Sequence, residues 1–290
     1  LLCNDVRENI IKTLSKSPGH FSSSLGAVEL AVGIHHVFST PDDKLIWDVG
    51  HQAYAHKILT GRKAKFNSIR QKGGLSGFPK RSESEFDSFG TGHSSTSLSA
   101  ILGMATAAKL DNKLSQHIAV IGDGALTGGM AFEAINNAAS SGANVLIIIN
   151  DNNMSIDDNV GALQEHLNAI STKETTLFEN LNIPYYGIVN GNNINEVVVA
   201  LEQQKEIFGI RVLHCKTNKG YGYFPAEIGN ATTWHAPGKF DVESGEREGN
   251  SAVYPKKYQA ILGDILIDLA KDNKDIVAVT PAMLSGSSLR

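Results

Sequence analysis

Two apolar runs near the middle of the chain end in turns rich in oxygen-bearing side chains. His117 to Ile121 breaks into Gly122-Asp123-Gly124, and Val145 to Ile149 breaks into Asn150-Asp151-Asn152-Asn153. Runs this short and this apolar, joined by a helical stretch from about Thr127 to Ser141, predict parallel strands buried on both faces with a crossover helix between them. Open α/β sheets gather their ligands at the carboxyl ends of such strands. The two breaks would then be neighbours, with Asp123 facing Asn152. A carboxylate and an amide oxygen, completed by one backbone carbonyl and by the oxygens of a diphosphate, form the hard octahedral shell that Mg2+ prefers. The pattern therefore points to a metal-anchored diphosphate cofactor.

Two other readings of the same turn stand beside it: a nucleotide held without metal, and a purely structural strand end. A dinucleotide fingerprint needs a third glycine at position 127, where Thr127 stands, and an acidic ribose partner after the next strand. Asn150 to Asn153 suits metal coordination better. Gly124 would let the backbone approach a phosphate closely, and Ala125 would add an amide at the start of the following helix. Met130, Phe132 and Ile135 stripe that helix and are expected in the core.

The 290 residues, 41% hydrophobic and 19% charged, are enough for one large domain or two small ones. A formal net charge of -4 leaves no basic footprint for nucleic acid. No apolar stretch reaches the roughly 18 residues of a membrane span. Cys3 and Cys215 have neither metal nor redox spacing, so reduced thiols and a cytoplasmic location are expected. The chain starts at Leu1, which also fits removal of a targeting segment, such as that of a plastid-type organelle.

The rest of the chain reads as alternating α/β, a parallel sheet with helices on both faces. Val6 to Leu14 has helical spacing, Ser22 to Ser24 can cap a second helix, and Leu45-Ile46-Trp47 is a short strand ending at Asp48-Val49-Gly50-His51. Gln71 to Gly90 is an irregular excursion, and Gly92-His93-Ser94 opens a helix. Strand Tyr185 to Val189, a helix from about Ile194 to Lys205 and strand Arg211 to Thr217 make a second βαβ unit. The expected division is a diphosphate and Mg-binding domain over 1–223, an irregular linker or a loop wrapping the domain over 224–253, and the beginning of a second α/β domain over 254–290. In that last piece a helix striped by Tyr258, Ile261, Leu262, Ile265, Leu266 and Leu269 precedes a strand from Ile276 to Val279.

Several motifs extend this reading. Gly122-Asp123-Gly124 with Asn152 resembles the thiamine-diphosphate motif. Ser17-Pro18-Gly19-His20-Phe21, Ile46 to Tyr54, Gln71-Lys72-Gly73-Gly74-Leu75, Gly92-His93-Ser94-Ser95-Thr96-Ser97 and Gly128 to Ala134 resemble the 1-deoxy-D-xylulose-5-phosphate synthase family, with similarity from about Leu2 to Met283. The resemblance implies thiamine diphosphate and Mg2+ as cofactors. Asp123, Asn152 and the Met154 carbonyl would hold the metal. His51, Gly92, His93, Ser94, Gly124, Ala125, Asn152 and Tyr223 would contact the cofactor, and His20, His51 and His235 would serve catalysis. Beside glycine at a loop or strand end, His20, His51 and His93 can reach a ligand and move protons. His35, His36, His56, His117, His166 and His214 lack that context and read as surface or satisfied core.

The implied reaction condenses pyruvate with D-glyceraldehyde 3-phosphate to 1-deoxy-D-xylulose 5-phosphate and CO2, in a homodimer, with products serving isoprene, thiamine and pyridoxal biosynthesis. The family's cofactor-activating glutamate and phosphate-gripping arginines would lie beyond Arg290, so this stretch alone is expected to be inactive. Between Ile170 and Thr176 the family carries a long segment where this chain has only Ser171-Thr172-Lys173-Glu174-Thr175. A transketolase-type ketol transfer, or a non-catalytic thiamine-diphosphate-binding fragment, are the alternatives.

Overall fold

The computed structural model describes residues 1–154, 159–172, 175–248, 255–280, 283–284 and 286–289. Five strands form one parallel sheet: β1 (Lys44–Trp47), β2 (His117–Gly122), β3 (Val145–Asp151), β4 (Tyr185–Asn190) and β5 (Ile210–Lys216), in the spatial order β1-β2-β3-β5-β4. Successive side chains of a strand point to opposite faces. In β2, Ile118 and Val120 join one core while Ala119 and Ile121 join the other, and β3 divides likewise into Leu146 and Ile148 against Val145, Ile147 and Ile149. Both faces of β2 and β3 are dry, which is why these two strands read as unbroken apolar runs.

The first core is closed by helices Leu2–Leu14, Phe21–Gly26 and Val28–Val37 and by the late helix Ile194–Lys205. The second is closed by Ser97–Leu110 and Gly129–Ser141. Along β1, β2 and β3 the sheet grows in one direction, and between β4 and β5 it turns back. A right-handed crossover must then pass over the opposite face. Accordingly Val197 and Leu201 of the helix between β4 and β5 sit in the first core, not the second.

Several expectations need correction. Ser22 to Ser24 do not cap a helix: it begins at Phe21 with His20 at the cap, and all three serines are buried inside it. Helix Gly129–Ser141 buries Ala131, Ala134, Ile135 and Ala138, whereas Met130 and Phe132 lie on its outer side, 38% and 37% exposed. Small alanines let this helix seat closely on the sheet, and that face excludes the larger pair. Ile276 to Val279 form no strand, for no neighbouring strand pairs with their backbone groups, and Val277 and Val279 face outward. The helix Tyr258–Asp272 is present, with Ile261, Leu262, Ile265 and Leu269 exposed. The described part of 224–253 holds two short helices, Phe224–Ile228 and Ala231–His235, and buries Trp234 and Phe240 against Phe21, so of the two readings offered for this stretch it is the loop that wraps the domain. Lys173, Glu174 and residues 249–254 lie outside the described residues. Among the described residues no helix is long and apolar enough to cross a membrane.

The irregular excursion is held by buried charge. Asp87 accepts two hydrogen bonds from the Arg62 guanidinium, at 2.8 and 2.9 Å, one from His56 Nε2 at 2.9 Å and one from the Lys80 N–H at 2.7 Å. Glu83 pairs with Lys57 and Arg62 and accepts the Ser76 N–H. Burial alone would raise the Asp87 carboxyl, but the hydrogen bonds from His56 and Arg62 outweigh it and hold the group well below the usual carboxylate range. An Asp so depressed contributes stability that is complete above its unfolded value of 3.8 and is lost as the pH falls below it. Asp87→Ala, which strands the Arg62 and His56 donors, should cost about 3–5 kcal/mol in a urea titration at neutral pH. The deficit should shrink in acid.

Candidate active site

Parallel pairing of β2 and β3 aligns Gly122 with Asn150, so their carboxyl ends stop at the same level. Asp123 starts the next short helix and is 1% exposed. Burial pushes its carboxyl up to about 6, against the Asn159 amide at 3.1 Å and the Asn152 backbone N–H, both of which favour the charged form, while the nearby Asp151 raises it further. The two turns read from the sequence therefore meet. In the second, Asn152 Oδ1 accepts the Met154 N–H at 3.2 Å. Asn150 anchors the turn from the other face, donating to Gln52 Oε1 at 2.6 Å and accepting from Thr217 Oγ1 at 2.5 Å.

The Gly92-His93-Ser94 loop is drawn to the first turn by residues that motif reasoning missed. Asp48, fully buried at the end of β1, accepts the N–H groups of Ser95 at 2.8 Å and Ser97 at 3.0 Å. Ser95, at a φ of 68°, donates its hydroxyl to the Ala125 carbonyl at 2.7 Å. A Cβ on Gly128 would lie 2.2 Å from that hydroxyl, so glycine is needed for the loop to reach the turn. An acid at a strand end, just before Gly50, was the available signal. Gly50 itself has a φ of +88°, and a Cβ there would lie 2.5 Å from Pro79. His93 is exposed and turns its Nδ1 to the Ser94 carbonyl at 2.7 Å.

Three of the histidines come together. His20 lies 6.0 Å from His51 and 5.2 Å from His235 between ring centroids, and His51 lies 6.2 Å from His235. Phe78, at 5.5 Å, and Arg70, 3.5 Å from His20 Nδ1, bring the excursion up to this group. Burial is the chief cause that lowers all three imidazoles, His20 to about 4, with the Arg70 charge adding, and His235 to about 3, with Lys219 and His20 adding. His51 falls well below its ordinary value for the same reasons. Half-buried Lys219 is lowered by desolvation to about 8, opposed by the Asp123 charge, so it belongs to the same cleft. His51 Nδ1 and His235 Nδ1 are buried with no hydrogen-bond partner among the described residues. Tyr223 is elsewhere: 7% exposed, it packs against Phe21, Trp234 and Phe240 and donates its hydroxyl to the Val242 carbonyl at 3.1 Å.

The donor set is what a diphosphate-bound divalent cation needs. Asp123 and Asn152 offer hard oxygens, the fold removes water from a carboxylate without lowering its pKa, and a Cβ on Gly122 or Gly129 would meet nothing within 4 Å. The chemistry around it is that of neutral imidazoles, able to donate at one nitrogen and accept at the other.

Two outcomes follow from this geometry. Asp48→Ala removes the acceptor for two buried amides, a loss of about 1–3 kcal/mol for each unsatisfied group, and hydrogen exchange at Ser95 and Ser97 should accelerate while the core of β3 stays protected. Because His20 and His235 refuse protons that unfolded histidines take up near 6.5, stability should fall as the pH drops below about 6.5, and His20→Phe should flatten that slope in a pH series of urea titrations.

The 1-deoxy-D-xylulose-5-phosphate synthase family model matches residues 1–176 and 171–217, two segments that meet at the short stretch singled out between Ile170 and Thr176. Among curated proteins, 1-deoxy-D-xylulose-5-phosphate synthase of Porphyromonas gingivalis is 46% identical over 330 residues, covering 99% of this chain and 52% of that protein. The one from Cytophaga hutchinsonii is 47% identical, covering 98% and 51%. Solved transketolases share the fold. That of Campylobacter jejuni superposes with a TM-score of 0.67 at 18% identity, covering 100% of this chain and 44% of its own, and that of Leishmania mexicana with 0.62 at 20% identity, covering 77% and 37%. The chain spans about half the length of the curated relatives it matches. With the family model matched over most of its length, the chain belongs to the 1-deoxy-D-xylulose-5-phosphate synthase family and forms the amino-terminal part.

Proposed function

We propose that this chain supplies the diphosphate and metal half of the site in a thiamine-diphosphate-dependent, decarboxylative condensation of pyruvate with D-glyceraldehyde 3-phosphate. The products would be 1-deoxy-D-xylulose 5-phosphate and CO2. The observation that carries the reading is the meeting of buried Asp123 with the Asn152 turn at the ends of adjacent strands. Family membership supports the reaction, and the oxygen donor set supports Mg2+.

Thiamine diphosphate, when bound, supplies the carbon nucleophile and the electron sink for loss of CO2. Asp123 and Asn152, with the Met154 carbonyl, would hold the ion against the diphosphate, and Gly124 and Ala125 would bring backbone to the phosphate oxygens. Gly92 and Ser94 would contact the cofactor through the loop that Asp48 holds, with His93 beside them. Tyr223 would act from the aromatic core, since its hydroxyl is already committed to backbone.

The neutral imidazoles of His20, His51 and His235 would orient the substrate oxygens. His51 Nδ1 and His235 Nδ1 are the atoms best suited to exchange a proton with a substrate oxygen, because each lacks a partner among the described residues. Fixing the reacting centre in this way removes the freedom of encounter from the barrier. The rest of the protein would complete the site, in a homodimer in the cytoplasm.

Calorimetric titration of thiamine diphosphate into the full-length protein, with and without Mg2+, tests the reading. Binding should require the metal and should weaken by at least about 100-fold in Asp123→Ala, the scale of losing a charge-assisted metal contact of roughly 3 kcal/mol. Equal binding with and without Mg2+, in wild type and variant alike, would remove the metal from the proposal.

A further inference from the structure

A second polar line runs diagonally across three adjacent strands, and the reaction outlined above leaves it without a role. Asp151 ends β3, His214 lies in β5 and Tyr185 opens β4, in the spatial order β3-β5-β4. Alternation along β3 turns Asp151 to the face of Ile147 and Ile149, away from the Gln52 and Thr217 contacts of Asn150. Its side chain and that of His214 are completely buried there.

Asp151 Oδ2 accepts from His214 Nε2 at 2.9 Å, and Asp151 Oδ1 accepts the Asn153 N–H at 3.1 Å. A carboxylate can only accept, so His214 carries a hydrogen on Nε2, while its Nδ1 is hydrogen-bonded to the Tyr185 hydroxyl at 2.7 Å. Both carboxylate oxygens of Asp151 are thereby engaged, one by the sheet and one by the turn that displays Asn152. Lys216 Nζ stands 3.9 Å from Oδ2 at the half-exposed edge.

We propose that the Tyr185–His214–Asp151 line positions the 151–154 turn for cation binding, so that His214, which itself touches no ligand, sets the affinity of the site for its metal. The proposal rests on the metal reading given above. Among the described residues the turn is also restrained by Gln164 Nε2, which donates to Asn153 Oδ1 at 2.7 Å, by the Met154 N–H on Asn152 Oδ1, by the Asn152 N–H on Asp123 and by the Thr217 N–H on the Asp151 carbonyl at 2.9 Å. Releasing Asp151 from His214 leaves a buried carboxylate short of a donor, and turning it toward Lys216 to recover one carries Asn153 and the neighbouring Asn152 with it. Partners that orient a metal's ligands govern affinity by about 10–100-fold. Tyr185 also stacks on Phe178, at 6.1 Å and 5°, so packing is the competing explanation and the test must separate the two.

The experiment is a Mn2+ titration of the full-length protein in the presence of thiamine diphosphate, read by the electron paramagnetic resonance of the free ion, with melting curves for each variant. His214→Phe fills the space without a donor and should weaken Mn2+ binding about 10–100-fold. His214→Gln keeps an N–H at the Nε2 position and should restore most of the affinity. Tyr185→Phe, which deletes one hydroxyl and leaves the stack, should give a smaller loss, and it decides the matter if His214→Phe does not fold.

If His214→Phe and Tyr185→Phe bind Mn2+ like wild type while Asp123→Ala does not, the positioning role is overturned and the metal site stands. Equal weakening by His214→Gln and His214→Phe would also overturn it, in favour of packing. Should Asp123→Ala bind as wild type does, both readings fall together.

Discussion

The in-register parallel pairing of β2 with β3 is the constraint on which the candidate site depends. It makes Gly122 and Asn150 partners, so the chain leaves the sheet at one level in two adjacent places. Each exit carries oxygen-bearing side chains into a region that helices on both faces keep dry. A one-residue slip would exchange the two faces of a strand and send Asp151 where Asn150 now bonds Gln52 and Thr217. Dry walls and fixed register together turn two ordinary strand ends into one polar site.

Desolvation then sets the chemistry. Burial raises Asp123 to about 6, lowers Lys219 to about 8 and keeps the His20, His51 and His235 rings neutral. All five shifts move toward the uncharged form. A cleft of this kind is poorly satisfied on its own, as His51 Nδ1 and His235 Nδ1, unpartnered among the described residues, show, and it gains most from a ligand that brings both a cation and hydrogen-bonding oxygens. Its walls are not part of the sheet. The excursion around Phe78 and Arg70 is held by Asp87 and Glu83, and the strap that delivers His235 is held by Trp234 and Phe240 in the first core.

The apolar runs and the two oxygen-rich turns were legible because burial on both faces and a metal's demand for oxygen each impose a local residue pattern. The five strands of the sheet came within a residue or two, whereas the strand expected at Ile276 to Val279 did not form. Motif reasoning found His20, His51 and His235 one at a time, but nothing in their spacing says that residues over 200 positions apart share a cleft. Asp48, Ser95, Lys219 and His214 went unnoticed as site residues, since one acid, serine, lysine or histidine has no periodicity to mark it. His214 read as surface or satisfied core, and the structure places it in the core, with partners the sequence could not name.

The amino-acid order by itself determined the alternating α/β class, the both-sides-buried strands and the identity of Asp123 and Asn152 as the acid and amide at their ends. These follow from periodicity and chain stiffness, which act over a few residues. Only the tertiary structure decided that the sheet reverses after β4, that residues 224–248 fold back as a strap, that Tyr223 enters the aromatic core, and that Asp151, His214 and Tyr185 form one line. Those outcomes depend on which distant surfaces exclude water from one another, a property of the packed whole that no short stretch of sequence encodes.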